Sequence, residues 1–290
     1  MRTRVILAGF VVALVPAGFA GTIVRSAVTT AGAGDAVFNA VINAFRTDLG
    51  GGLNAPGACS PNPCTTGRRE INWDAVPASS SSPNAFPGGF FNGTTGVQQA
   101  GRIRGAAFST PGTGFRVSAT EFSDEAGFAP AEFDVFSASR MFASMGSSIT
   151  DVTFSQPGTP SLAATVKGFG VVFLDVDYSG SASLEFFDVN SASLGLFSVD
   201  GVFPTASGQN SQGSFSFLGV SFDAGERVSR VRITSGSHGI DGNYVGLEDA
   251  VVMDDFIYSE PQAVVPEPMT FGLAGTALAG LAFFRRLRRA

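Results

Sequence analysis

Past about Gly101 the chain runs in short apolar stretches rich in Phe, Val and Ile, each closed by a cluster of Gly, Ser, Asn, Asp or Pro. Stretches of that length and make-up predict strands. They fall at Arg102–Phe108, Gly114–Ala119, Arg140–Ser144, Asp151–Ser155, Gly168–Val176, Ser183–Val189, Leu194–Val199, Gly213–Phe222, Arg227–Thr234 and Val251–Tyr258. Within Val228–Ile233, Val231 and Ile233 alternate with Arg230 and Arg232, as in a strand with one face in water. Ser183–Phe197 reads as a hairpin turning on Asn190 and Ser191. Upstream the period changes. Asp35–Leu49 sets Val37, Val41, Ala44, Phe45 and Asp48 at near-helical spacing, and Gly50-Gly51-Gly52 stops it, so one amphipathic helix is expected there. Asn54–Thr66 and Ala78–Gly89 read as loops. Many closely spaced strands with one good helix predict a mainly β fold, an antiparallel β-sandwich of the jelly-roll kind, with a barrel as the alternative closure. No internal repeat is visible. A single domain is expected from about Gly34 to Glu260, followed by a linker, Pro261–Val265.

The two ends carry different patterns. Residues 1–20 read as a signal peptide: Met1-Arg2-Thr3-Arg4 is basic, Val5–Val15 is apolar, and Pro16–Ala20 offers small residues for cleavage after Ala20 or Ala17. Signal peptidase and the Sec export machinery are the partners such a segment implies. At the other end Val265-Pro266-Glu267-Pro268 precedes an apolar stretch, Met269–Phe284, and then Arg285-Arg286-Leu287-Arg288-Arg289. That stretch predicts a transmembrane helix, somewhat short against the roughly 20 residues that span a bilayer. The arginines would stay cytoplasmic and leave the body outside. Gly272, Gly275 and Gly280 give the helix a small-residue face for a membrane partner.

These last 26 or so residues closely resemble the PEP-CTERM sorting signal of exosortase substrates, with motif, apolar helix and Arg cluster all present in order. The resemblance implies a Gram-negative bacterial protein held transiently in the inner membrane. It further implies an exosortase as partner, cutting at or near Pro266, Glu267 and Pro268, and delivery to the cell surface or extracellular matrix. The body also is similar to exported PEP-CTERM proteins of unassigned function, through Arg69–Asp74, Asn84–Asn92, Phe108–Phe115, Ser183–Asp188 and Val252–Phe256. A shared fold follows from that similarity, and no activity does.

Composition sharpens the picture in three ways. Charged residues are only 14% against 44% hydrophobic, so the body can bury a sizeable core rather than stay disordered. The 28 Phe against 3 Tyr and 1 Trp point to core filling, because Phe has no polar handle. Arg2, Arg4, Arg285, Arg286, Arg288 and Arg289 lie in segments expected to be removed, which leaves 12 basic against 24 acidic residues, about −12. Such a body lacks the clustered cations that a phosphate backbone requires, which argues against nucleic acid. In an exported chain, Cys59 and Cys64 are most simply a local disulfide closing a Pro-rich loop.

Candidate chemistry is thin. The lone histidine, His238, sits among glycines with no nucleophile elbow, and reads as an exposed loop residue. Trp73 could stack a sugar, but a core-edge aromatic is the plainer reading. The carboxylates carry more. Asp175 and Asp177 flank the end of a strong strand. Asp241 and Asn243 share a loop with Glu248 and Asp249, and Asp254 and Asp255 open the last strand. Oxygen ligands in loops at sandwich edges can hold a structural Ca²⁺, so Asp175, Asp177, Asp241, Asn243, Asp254 and Asp255 are candidate ligands, with turn chemistry and solubility as the alternative. A carboxylate pair could also serve a glycosidase. The favoured expectation is a non-enzymatic surface or matrix protein associated with extracellular polysaccharide. An exported carboxylate-dependent glycan hydrolase and a Ca²⁺-dependent sugar-binding module are the alternatives.

Overall fold

The computed structural model describes residues 21–59, 64–93, 100–125, 132–205, 212–223, 225, 227–240 and 248–264. The expected signal peptide, the sorting motif, the transmembrane helix and its arginines, Asp241 and Asn243 all lie outside them. Among the described residues no helix is long and apolar enough to cross a membrane.

Among the described residues, fourteen strands and one α-helix make the fold. In chain order they are β1 (Thr22–Thr29), α1 (Ala36–Asp48), β2 (Arg68–Ile71), β3 (Ala106–Ser109), β4 (Gly114–Ser118), β5 (Met141–Met145), β6 (Ile149–Gln156) and β7 (Thr159–Thr165). Then come β8 (Gly168–Leu174), β9 (Ser183–Phe187), β10 (Ser193–Ser198), β11 (Phe215–Phe222), β12 (Arg230–Thr234), β13 (Val252–Ser259) and β14 (Gln262–Ala263). All named pairings are antiparallel. The first sheet runs β1-β11-β8-β13-β5-β4 with β2 beside β13; the second runs β10-β9-β12-β6-β7-β14 with β3 beside β6.

The sheets face each other across an aromatic core. Phe169 of β8 meets Phe154 of β6 at 6.1 Å between ring centres, and Phe186 of β9 meets Phe222 of β11 at 5.6 Å. A second core lies on the opposite side of the first sheet, where Phe38, Ile42 and Phe45 of α1 pack on Val172, Leu174, Phe215, Phe217 and Ile257. The first sheet is therefore covered on both faces. That is why β8, β11 and β13 are buried at every position, and why β8 reads as an unbroken apolar run rather than an alternating one. The helix starts where Asp35 accepts the Val37 and Phe38 amides as its N-cap. It approaches β8 and β11 at two glycines: a Cβ on Gly170 or Gly219 would stand 2.7 Å from the Phe45 ring. The helix ring is the nearest obstacle at both positions, and the Phe217 ring of β11 stands close behind it at 3.1 and 2.9 Å.

Several expectations need correction. The buried stripe of α1 is Phe38, Ile42 and Phe45, whereas Val37 is 76% exposed: the helix is there, rotated by one residue from the expected face. Arg102–Phe108 is not one strand; a single 3-10 turn at Ala100–Arg102 precedes β3, and the chain bends at Gly105 (φ 71°). The sandwich also extends past Gly34 and Glu260. β1 pairs with β11 along eight residues, and β14, placed in the expected linker, pairs with β7. The Ser183–Phe197 hairpin forms as β9 and β10, with Ser191 left-handed and Asp188 organising the turn by accepting the Asn190 and Ala192 amides.

Candidate functional site

The polar residues of the body concentrate where β2 lies against β13, near the C-terminal end of α1. β13 carries a bulge here. Met253 pairs with Phe173 and Phe256 with Val171, so three steps on β13 match two on β8. Met253 and Phe256 both point into the inter-sheet core, and Val252 and Ile257 both face the helix side. The extra residue thus puts Asp254 and Asp255 together on the helix side. They lie inside β13, not at its opening as expected.

Ser137 ties the two acids together: its hydroxyl lies 2.9 Å from Asp254 Oδ1 and 2.9 Å from Asp255 Oδ1. Asp254 Oδ2 accepts the Phe136 and Ser137 amides at 3.1 and 2.9 Å. The Asp254 carbonyl accepts the Trp73 indole N–H at 2.8 Å. From Asp255 the network continues to Arg46, 3.8 Å away, which grips Glu70 through two bonds of 3.0 and 2.9 Å. Arg68 adds a third bond to Glu70 at 2.5 Å. Burial holds both Asp254 and Asp255 above the ordinary carboxylate range; the Asp255 charge adds to the effect on Asp254, and Ser137 opposes it on Asp255. Glu70 moves the other way. Burial would raise it, but the hydrogen bonds and charges of Arg46 and Arg68 together outweigh burial and lower it.

Behind this network lies the least expected feature of the interior. Arg69 and Glu260, 191 residues apart and each 1% exposed in the side chain, form a two-bond ion pair at 2.7 and 2.8 Å. Asn54 Nδ2 donates to Glu260 at 2.9 Å and Arg69 also donates to the Ile103 carbonyl at 2.9 Å, so the pair is well satisfied. The sequence showed Arg68-Arg69 only as a short basic pair.

A two-lobed cleft opens beside these residues. One lobe, of about 200 Å³, is lined by Asn54, Arg69, Glu70, Asp255, Asn72 and Arg104. The other, of about 170 Å³, shares Asn72 and Arg104 and adds Arg102, Phe90, Phe91 and Pro77. The first mixes both charges, and the second has no carboxylate in its lining. Trp73 borders the cleft but belongs to the core: it is 1% exposed and stacks on Phe142 at 4.1 Å.

No family model matches the chain, and no curated protein matches it. Function must therefore be argued from the site.

Among the described residues, the other acids singled out from sequence sit after β8 and before β13, where Asp177 and Asp249 are joined. Asp175, buried and left-handed (φ 64°), ends β8 and donates its amide to the Ser214 carbonyl. The Asp177 amide donates to Asp249 Oδ2 at 3.3 Å. Asp249 is 1% exposed, and burial, reinforced by the Asp177 charge and opposed by the Ser181 hydroxyl, pushes its carboxyl up to about 7. Among the described residues no group of three or more His, Cys, Asp or Glu side chains is arranged to hold a metal ion. At Asp254 and Asp255 the reason is chemical, since amides, a hydroxyl and a guanidinium already occupy the oxygens that Ca²⁺ would need. His238 is half-buried rather than exposed, with Nδ1 2.8 Å from the Gly239 carbonyl. Cys59 and Cys64 are joined in the expected disulfide, with Cα atoms 5.1 Å apart.

Proposed function

We propose that the chain is an exported, non-enzymatic surface or matrix protein, a sandwich of the jelly-roll kind sorted and processed by an exosortase and associated with extracellular polysaccharide. The observation that carries this reading is the ordered C-terminal series of Pro266-Glu267-Pro268, the apolar Met269–Phe284 and the Arg285–Arg289 cluster. Two features of the body support it. A disulfide at Cys59–Cys64 suits an oxidising compartment outside the cytoplasm. The carboxylates of the polar network are engaged in holding α1, β2 and β13 together, which is a structural employment. The test is fractionation of cells carrying Glu267→Ala. The variant should stay in the inner membrane with its tail uncut; release equal to that of the parent protein would sink the reading.

One observation favours a carboxylate-dependent glycan hydrolase as the second reading. Glu70 and Asp255 line one lobe with their ionisation displaced in opposite directions, the separation that acid and base roles require. Against it stands the engagement of both Glu70 oxygens by arginines, which leaves a poor nucleophile or base. Release of reducing sugar from surface polysaccharide, abolished by Asp255→Asn, would establish this reading in place of the first.

A further inference from the structure

The carboxylate-free lobe of the cleft holds two arginines in an unusual state. Of the eleven described arginines, seven (Arg25, Arg46, Arg68, Arg69, Arg116, Arg230 and Arg232) form ion pairs with Asp or Glu, and Arg140 donates to the Ser81 hydroxyl instead. In a chain with 24 acidic against 18 basic residues, pairing is the expected state of an arginine. Arg102 departs from it. Its guanidinium has no carboxylate or hydrogen-bond acceptor among the described residues, and its Nε is buried without a partner. Its fixed contact is with Phe90, whose ring centre lies 4.0 Å from the guanidinium carbon. Arg104 lies over Phe91 at 5.0 Å and donates to the backbone carbonyls of Glu70 and Gly101, with no side-chain carboxylate in its own grip.

A buried donor left unmade is costly, and Arg104 carries the further cost of burial and of the neighbouring Arg69 charge, which the Glu70 charge only partly offsets. Both costs fall if an anion enters the lobe. Phe90 and Phe91 hold the two guanidinium planes in place by cation–π contact, so the donors are ordered before any ligand arrives. Guanidinium forks match a planar carboxylate through two parallel bonds. Asn72, shared between the lobes, donates its Nδ2 to Asp74 Oδ2 at 2.8 Å and leaves its amide oxygen to accept from a hydroxyl, and Pro77 offers an apolar flank. The volume of about 170 Å³ admits one small ring, and the lobe is open to solvent on one side.

We infer that this lobe binds a single carboxylate-bearing sugar, a uronate residue of an acidic polysaccharide, with Arg102 and Arg104 as the carboxylate receptors. The polysaccharide-associated reading above supplies the kind of molecule, while the preference for an anion rests on the arginines alone.

The test is calorimetric titration of the full chain in detergent with an oligogalacturonate, with its methyl ester as the uncharged control. Saturable binding to the acid form and none to the ester is the expected result. Arg102→Gln should weaken binding at least about tenfold, as loss of a charge-assisted bond does, and Arg102→Lys should recover part of it. An unchanged melting temperature in both variants would place the loss in the site. Equal binding of acid and ester, wild-type affinity in Arg102→Gln, or equally effective displacement by inorganic phosphate would each overturn the proposal. None of these results bears on Glu267 or tail processing, so failure here leaves the sorting proposal to its own test.

Discussion

At the scale of single residues, the charges that matter most are those removed from water. Arg69 and Glu260 are fully buried, and losing one partner strands the other in the interior. Glu260→Gln should therefore destabilise the fold by about 3–5 kcal/mol, read from denaturant midpoints; a loss under about 1 kcal/mol would mean that water reaches the pair. Asp249 makes a different prediction. Burial first of all pushes its carboxyl up to about 7, so the folded chain keeps a proton that the unfolded chain releases near pH 4. Its contribution to stability is fully present below that lower pH and fades as pH rises toward 7. Asp249→Asn should flatten the fall in unfolding free energy between about pH 4 and pH 7, by at most about 4 kcal/mol for a shift of this size. An unaltered slope would assign the pH dependence to other groups, Asp254 and Asp255 first.

At the scale of elements, the packing of α1 on the sheet leaves little room. Phe45 rests on Gly170 and Gly219, and a methyl at either position meets its ring. Gly219→Ala should cost about 1–3 kcal/mol by overpacking, with the strand pairing preserved; a neutral outcome would mean that α1 can lift off the sheet freely. The elements also show what a single sequence can and cannot convey. β8, β11 and β13 were legible because burial on both faces leaves long, largely apolar stretches. β1 was missed since an edge strand with Val24 half exposed shows little contrast between faces. β2 was missed because Arg68-Arg69-Glu70 looks like surface, though Arg69 is buried against a partner 191 residues away. β7 contains Pro160 and two alanines, too weak an apolar signal for a strand. The stripe on α1 was displaced because Val37, Phe38, Val41 and Ile42 offer two overlapping helical faces, and only the sheet beneath selects one.

The candidate site was legible only in part. Asp254-Asp255 stood out as two carboxylates in an apolar run, and that interruption is the local sign of the bulge. Their partners Ser137, Arg46 and Glu70 could not be read, since they come from three distant segments. Arg102 and Arg104 were visible as a basic pair, but the buried, unpartnered Nε of Arg102 is a property of the folded surroundings.

At the scale of the whole molecule, the body is a helix-covered double sheet whose most distinctive polar face is the cleft beside β2 and β13. The proposed place in the cell rests on the sequences of the two termini. The most direct measurement is the intact mass of the protein from its native host, with and without the exosortase gene. The account predicts a mature mass lacking both the segment through about Ala20 and the stretch after Pro268, with the C-terminal loss dependent on that gene. An identical, uncut C-terminus in both strains would contradict it and make Met269–Phe284 a permanent anchor.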